Sequence, residues 1–403
     1  MEPQDATGTP AQATNRTMPR TRVILAVAVA IVIIAAGVWL TGLGSYVYQR
    51  AAYSPRPETF AGSSESLQQT VIVPTLDSPC PPNKNIIWCS SFQLAWNEMK
   101  DKVVRAPLQV IGAEEIAARL NAAQPSASDL EPSSFCAVGG RVGDGIIGKI
   151  KEEMARRFPS RRLPDLQKYA SEPDSMLAYS YLSVKVPFKH PFRQVERRFM
   201  FADSSGAKTS VDAFGVWNYS DQYDKIRKQV EVMHYRRVSD HRADEEGLQI
   251  KECVLDLCKD SRPYQIVVAL VEPQDSLAKT LEYVRLQVEG FKKGEYTKWE
   301  TQLERVDHVE IPEMVWRIDH QFQELIGKTV SNVGLPIAGA MQMIEFRLDR
   351  SGAVLESDAQ VAVKATPREF VFNRPFLVYM QKRGAEQPFF VMWVDNAELL
   401  TRK

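Results

Sequence analysis

The stretch "FVFNRPFLVYMQKRGAEQPFFVMWVDNAELL", residues 370–400, decides the fold of this chain. It holds two apolar runs of strand length, 375–380 and 388–394, joined by the polar connector "QKRGAEQ". A strand with one solvent-exposed face alternates apolar and polar residues, whereas a run that is apolar on both faces is typical of a sheet covered on both sides. We therefore predict that the chain ends in a hairpin in the interior of a large sheet, formed last and buried deepest.

The bulk composition is that of a globular protein and argues against several classes of function. The 403 residues suit one large domain or two ordinary ones. Since 50 acidic residues balance 50 basic ones, we expect no nucleic-acid partner. No C-x-x-C pair and no histidine at zinc-ligand spacing exists, so we expect no metal site and no cofactor. The chain has five cysteines: Cys80, Cys89, Cys136, Cys253 and Cys258. Because this number is odd, at least one thiol is unpaired in a monomer.

The clearest single feature is the uncharged run "VILAVAVAIVIIAAGVWLTGL", residues 23–43. A helix of this length crosses a hydrocarbon core of about 30 Å, so we predict a transmembrane helix in contact with the lipid bilayer. The alternative is a cleaved signal peptide, whose apolar region is normally about 7–15 residues long. Arginines that precede the span mildly favour a cytoplasmic amino terminus and a folded domain outside the cytoplasm: Arg16, Arg20 and Arg22.

The sequence around this span predicts four segments. Residues 1–22 lack an apolar period and are predicted to be a disordered tail. Residues 44–82 are rich in Ser and Pro and are predicted to be a linker with one strand at "TVIVPTL". Residues 83–403 form the folded domain, with helices early and strands late, which is an α+β layout with helices packed on large, mainly antiparallel sheets. The periodicity predicts helices at 86–103, 111–123, 145–158, 276–293 and 320–327.

Signatures of enzymes are weak in this chain. "GDGIIG", residues 143–148, matches G-x-G-x-x-G, but no buried strand precedes it and no strand ends near Asp165. These glycines are better explained by a turn and a helix start. Neither H-E-x-x-H nor G-x-S-x-G is present, and a Ser-His-Asp triad stays open because its members converge only in space. We expect no enzymatic activity.

Residues 353–363 have a period of two just before the final hairpin. One series of alternate positions is small or apolar and the other is mostly polar, so this stretch could bury one face in a sheet. An ordinary strand is the simple interpretation, and the neighbouring motifs suggest another.

The order of motifs from Asn85 to the end resembles the serpin family. The family ends with a buried strand pair that contains F-N-x-P-F, here residues 372–376. Upstream, "MIEFRLDRSG" resembles the strand and hinge before the reactive loop, "VDHVEIPEMVW" resembles the V-x-L-P-K-F strand, and "MLAYSYLSVKVPFKHPF" resembles the central strand. Each match is short, but all are collinear. The resemblance implies a serpin-like α+β fold in which the terminal hairpin lies in the core.

The resemblance also implies a reactive loop and a way to use it. Serpins inhibit proteases when their cleaved loop inserts as a new strand between existing strands. The hinge glycine would be Gly352, followed by Ala353, and counting back from F-N-x-P-F places the reactive bond between Lys364 and Ala365. Counting forward from the hinge reaches Thr366 instead, which implies a slightly shortened loop.

Two departures from the family pattern concern this insertion. The family keeps a polar cluster of two serines, an asparagine and a histidine where the sheet opens, and the matching positions here are Cys89, Phe92, Ser180 and Gln342. The inhibitory hinge continues with small residues, whereas Val354 and Leu355 follow here. Overfilled sites in a packed sheet cost about 1–3 kcal/mol each. We therefore expect a single-pass, membrane-tethered, non-inhibitory protein that binds a partner or has a structural role. The alternative is an inhibitor of a trypsin-like serine protease with Lys364 as bait.

Overall fold

The computed structural model describes residues 58–123, 125, 127–161, 163–184, 188–217, 223–238, 248–294, 298–350 and 367–402. All of them belong to the compact unit Pro55–Lys403. The predicted disordered tail 1–22, the predicted transmembrane helix 23–43 and the predicted loop residues Gly352, Ala353, Lys364 and Ala365 lie outside the described residues. Among the helices that the structure describes, none is both long enough and apolar enough to span a bilayer.

The described residues form strands grouped in three sheets. They are β1 (Phe60–Ser63), β2 (Thr70–Ile72), β3 (Asn85–Cys89), β4 (Phe135–Arg141), β5 (Met176–Val184), β6 (Arg193–Gln194), β7 (Phe199–Ala202), β8 (Lys208–Val211), β9 (Ala213–Val216), β10 (Glu231–Arg237), β11 (Leu248–Asp256), β12 (Tyr264–Leu270), β13 (His308–Pro312), β14 (Met314–Gln321), β15 (Thr329–Val330), β16 (Leu335–Leu348), β17 (Arg368–Val371), β18 (Phe376–Lys382) and β19 (Phe390–Val394).

The helices are fewer and lie between these strands. They are α1 (Ser90–Glu98), which continues as a π-helical segment Met99–Val104, α2 (Glu114–Ala122), α3 (Ile146–Arg157), α4 (Asp224–Gln229), α5 (Leu277–Lys293) and α6 (Lys298–Thr301). Helix α5 begins after Ser276, whose hydroxyl accepts a hydrogen bond from the Lys279 amide. Helix α3 begins after Gly145, whose φ of 79° favours glycine, so the "GDGIIG" motif is a turn and a helix start as predicted.

The terminal hairpin lies in the interior of the large sheet, as predicted. This eleven-stranded sheet has the order β2-β3-β19-β18-β12-β11-β17-β13-β9-β6, and β10 also pairs with β11. Strand β18 pairs with β12 on one side and β19 on the other, and β19 pairs with β3. Alternate residues of β18 enter two cores, since Val378 packs in the main core and Leu377 packs in the core formed with α5. Both faces of the hairpin are thus covered, which explains why it is apolar throughout.

The second sheet has six strands, in the order β1-β14-β16-β5-β4 with β15 paired to β16. Side chains such as Ala178 and Ile344 face the core beneath α1, while Tyr179 and Met343 face the core beneath α3. Strand β4 approaches α1 so closely that a Cβ at Gly139 would overlap the Ala95 carbonyl oxygen. Strands β7 and β8 form a separate two-stranded sheet.

Two of the predicted helices are wrong in part or in whole. Residues 86–89 belong to strand β3 rather than to the first helix, because they pair with β19 and β2 and are buried on both faces. The helix predicted at 320–327 does not form. Strand β14 extends through Gln321, and the Phe322 amide donates to the Ala340 carbonyl of β16. The first three residues of the predicted helix are therefore bonded to β16 and cannot form a helical turn.

The described part of the predicted linker 44–82 is a component of the folded unit. Strand β1 pairs in parallel with β14 at the edge of the six-stranded sheet, and β2 pairs in parallel with β3 at the edge of the large sheet. The Ser- and Pro-rich composition of this segment suggested a tether, but strand pairing uses backbone groups that composition does not report. The folded unit therefore starts before the predicted boundary at Asn83, and the strand predicted within "TVIVPTL" is present.

Candidate functional site

The candidate functional site is the strand junction, the line along which β5 and β16 pair. Residues Met176–Val184 lie beside Ile337–Phe346, and the two strands are parallel. A chain that leaves the carboxyl end of β16 and folds back could enter between them only as a strand antiparallel to both neighbours. The junction is thus the point at which the six-stranded sheet could accept a new strand, and it is closed in this structure.

A buried polar cluster holds the junction on its α1 face. Ser180 and Gln342 are opposite each other in the register. The Gln342 amide nitrogen Nε2 donates to the Cys89 carbonyl oxygen at 3.1 Å and to Ser91 Oγ at 3.2 Å. The Ser91 hydroxyl also donates to Ser180 Oγ at 3.4 Å. The amino end of α1 is therefore bonded to both strands of the junction.

Three of the four cluster positions proposed from the sequence come together here. Cys89, Ser180 and Gln342 take part in the polar contacts, whereas Phe92 packs its ring on Phe322 at a centroid distance of 4.1 Å. The missed member is Ser91. Its signal was the pair "SS" at 90–91, but the match to the serpin motif assigned the family's two helix serines to Cys89 and Phe92.

The chemistry of the cluster is structural rather than nucleophilic. Burial raises the pKa of the Cys89 thiol to about 11, so the sulfur carries its proton at neutral pH and is a poor nucleophile. Its Sγ lies 3.1 Å from Ser91 Oγ, within hydrogen-bond distance. Among the described residues, Gln342 Oε1 and Ser90 Oγ are buried without a hydrogen-bond partner, and such a buried acceptor costs about 1–3 kcal/mol.

A histidine lies beside the cluster on strand β14. His320 is opposite Gln342 in the β14–β16 register, and its Nδ1 is 2.7 Å from Ser64 Oγ. Its ring contacts Phe322 edge-on at 4.5 Å. Burial lowers the pKa of His320 to about 4, so the ring is neutral at physiological pH. The His320 and Phe322 contacts connect the segment around Ser64 with the polar cluster.

The opposite face of the junction, beneath α3, is closed by larger side chains. The Tyr179 hydroxyl donates to Met343 Sδ at 3.3 Å, and the Tyr169 hydroxyl lies 3.8 Å from Met341 Sδ. Near the carboxyl end of β16, the Glu345 carboxylate accepts from Arg161 Nη2 at 2.5 Å and from Ser183 Oγ at 3.2 Å. Both faces of the junction therefore carry side-chain contacts that cross from β16 to the β5 side.

The strand that follows the predicted loop has a strong anchor. In β17, the Arg368 guanidinium forms a buried ion pair with Asp307, in which Nη2 lies 2.5 Å from Oδ2. The same nitrogen donates to the Gln302 carbonyl at 2.6 Å, and the guanidinium lies 5.2 Å from the Tyr235 ring centroid. These contacts fix β17 to the large sheet, whereas β16 belongs to the six-stranded sheet.

Within the described residues, no group of three or more His, Cys, Asp or Glu side chains is arranged to hold a metal ion. All five cysteines are free thiols.

Comparisons with known proteins address the fold of this chain. No family model and no curated protein matches it. Solved structures that are similar include protease nexin-1 with heparin, at 10% identity and a TM-score of 0.46, over 78% of this chain and 93% of that chain. Serpin48 from the insect Tenebrio molitor is 11% identical, with a TM-score of 0.44, over 77% and 92%. Mouse protein-Z dependent protease inhibitor is 12% identical, with a TM-score of 0.45, over 77% and 91%.

At these identities the likeness concerns the fold alone. The chain is similar to these structures of the serpin family, and its described residues have an α+β architecture.

Proposed function

We propose that this protein is a membrane-tethered, serpin-like binding or structural protein that is neither an enzyme nor a trap for proteases. The observation that carries the proposal is the combination of bulky residues after the hinge, Val354 and Leu355, with a strand junction that buried side chains close on both faces. Gln342 is fully buried, and its bonds to Cys89 and Ser91 would have to break for a strand to enter. Each broken bond would leave a buried polar group without a partner.

The hinge sequence supports the same proposal. A strand that enters the junction places alternate side chains into the two existing cores, where packing is already dense. The residues after Gly352 include Val354 and Leu355, so the first inserted positions are bulky. The cost of bulk and the cost of broken hydrogen bonds add up near the start of insertion, where little new pairing has formed.

Incubation with trypsin tests the proposal. The full chain in detergent micelles is mixed with trypsin, and the products are separated on a denaturing gel. We expect cleavage near Lys364 without a covalent complex and without a rise in melting temperature. A Lys364→Ala variant serves as the matched control, because it should lose this cleavage alone. An SDS-stable complex of trypsin with the wild-type chain, absent for the variant, would refute the non-inhibitory role.

One observation favours the alternative of a working inhibitor. Strands β5 and β16 are parallel neighbours, so an antiparallel strand between them would pair fully on both sides. The alternation over 353–363 is suited to such a position. The trypsin experiment distinguishes the two functions directly.

The membrane tether rests on residues 23–43, and we infer that the folded unit lies outside the cytoplasm. Alkaline carbonate should leave the full chain in the membrane fraction and release a variant that lacks 23–43. Protease added to intact cells should digest the folded unit. Release of the full chain by carbonate would contradict the tether, and protection from external protease would contradict the orientation.

A further inference from the structure

The segment 58–72, here called the strap, joins one part of the six-stranded sheet to the large sheet. Its strand β1 pairs with β14 over Trp316–Asp319, and its strand β2 pairs with β3. Between them, the Glu398 carboxylate accepts hydrogen bonds from the amides of Gln68 and Gln69, at 2.7 and 3.0 Å, and from Thr70 Oγ1 at 2.7 Å. Strands β1, β14 and β16 are therefore attached to the large sheet.

Helix α3 belongs with the other side of the junction, formed by β4 and β5. Its last residue, Arg157, donates from Nη1 to the Phe135 carbonyl of β4 at 2.9 Å. The next residue, Phe158, packs edge-on against Tyr181 of β5 at 4.5 Å. Separation of β5 from β16 therefore requires the side formed by β4, β5 and α3 to move apart from the side formed by β1, β14 and β16.

Arg161 and Glu345 meet across this division. Arg161 lies on the α3 side, because its amide donates to the Phe158 carbonyl at 2.9 Å. Its guanidinium pairs with Glu345 of β16, whose side chain is only 7% exposed. Ser183 of β5, which is opposite Glu345 in the register, donates to the same carboxylate oxygen. A charge-assisted hydrogen bond in such a buried position is stronger than one at the surface.

The position of this contact matters as much as its strength. Glu345 lies three residues before the end of β16 at Leu348, at the end of the junction where a returning chain would enter. Its second oxygen, Oε1, is buried without a hydrogen-bond partner among the described residues, so the carboxylate depends on Arg161 and Ser183. Loss of these two partners would leave the buried carboxylate without its side-chain hydrogen-bond donors.

We propose that Glu345 is the latch of the strand junction, and that its bonds to Arg161 and Ser183 must break before β5 and β16 separate. The latch deepens the proposed function, since it rests on the strand junction as the element whose closure that function requires. Glu345 and Arg161 act as positioning residues, because they hold the two sides of the junction together.

Hydrogen exchange of the full chain in detergent micelles tests the latch. Peptides from β5 and β16 report opening of the junction, and peptides from β12 and β18 report global unfolding. We expect Glu345→Gln and Arg161→Met each to raise the exchange rates of β5 and β16 about tenfold or more, with β12 and β18 unchanged. The double variant should raise these exchange rates little beyond either single variant, because the two substitutions remove the same contact.

Two matched variants complete the experiment. Arg156→Met removes an exposed arginine that pairs with Glu153 within α3, and it should leave exchange at the junction unchanged. Arg161→Lys keeps the positive charge and should restore most of the protection. The latch is overturned if Glu345→Gln leaves β5 and β16 unchanged, if exchange rises equally in β12 and β18, or if Arg156→Met has the same effect. Trypsin complex formation reports the proposed function separately, so failure of one inference is distinguishable from failure of the other.

Discussion

Replacement of Gln342 by alanine is the most direct perturbation of the strand junction. The side chain is fully buried and donates from Nε2 to both the Cys89 carbonyl and Ser91 Oγ. Alanine would leave these two acceptors without their donor and would open a cavity between β16 and α1. A buried group that loses its partner costs about 1–3 kcal/mol, and the cavity adds to this, so we expect Gln342→Ala to lower the free energy of unfolding by about 3 kcal/mol.

A methionine at the same position separates the two contributions. Gln342→Met keeps the volume and removes the unpartnered Oε1, so its cost should be smaller, about 1 kcal/mol. Gln323→Ala is the matched control, because Gln323 is exposed and donates a single hydrogen bond to exposed Glu65. We expect its effect to stay within about 0.5 kcal/mol.

Chemical denaturation measures these differences from the shift of the transition midpoint at an unchanged slope. The expected order of stability is wild type and Gln323→Ala together, then Gln342→Met, then Gln342→Ala. If Gln342→Ala is as stable as wild type, the polar cluster does not hold the junction, and the argument for its closure fails.

The remaining predictions concern pH, a buried ion pair and a close backbone contact. Because the pKa of His320 is about 4 in the folded state and about 6.5 when unfolded, stability is retained above pH 6.5 and lost as pH falls towards 4. Between pH 7 and pH 4.5, the free energy of unfolding measured by chemical denaturation should fall by about 2–3 kcal/mol more for wild type than for His320→Gln. An equal fall in both proteins would contradict the burial of a neutral ring. Arg368→Met leaves the buried Asp307 without its cation and should cost about 3–5 kcal/mol. Adding Asp307→Asn removes the charge, keeps an oxygen that can accept from a backbone amide, and should recover part of this loss. Denaturation midpoints measure both variants, and a double variant no more stable than Arg368→Met would contradict the importance of the ion pair. Gly139→Ala should lower the free energy of unfolding by about 3 kcal/mol, since its Cβ meets backbone. Gly290→Ala, at an exposed position of α5 with open space around it, should not; equal melting temperatures would contradict the close approach of β4 to α1.

Local patterns in the sequence correctly predicted the elements in which buried and exposed positions follow one regular pattern from end to end. The terminal hairpin is apolar on both faces, and a strand with that pattern is stable only inside a covered sheet. Helix α5 has a serine cap and a regular apolar period, so its bounds agree closely with the predicted 276–293. The prediction failed at 86–89, where an apolar run fits a helix and a buried strand equally well and only the pairing partners decide. It failed also at 320–327, where β14 extends through Gln321 and turns follow.

The polar cluster shows the same limit at the level of single side chains. The serpin resemblance pointed to Cys89, Ser180 and Gln342, and these do lie together. Ser91 was missed because the match to the serpin motif assigned the family's two helix serines to Cys89 and Phe92. The structure places Ser91 in the cluster instead, while Phe92 packs against Phe322.

By itself, the sequence determined the α+β class, the interior hairpin and the apolar run at 23–43, because each depends on periodicity or length within one segment. Tertiary structure alone decided the strap and the latch. Arg161 and Glu345 are 184 positions apart, and Gln68 is 330 positions from Glu398. Such contacts join backbone amides and charged side chains that occur throughout the chain, and only the pairing of β1 with β14 and of β5 with β16 brings these particular groups within bonding distance.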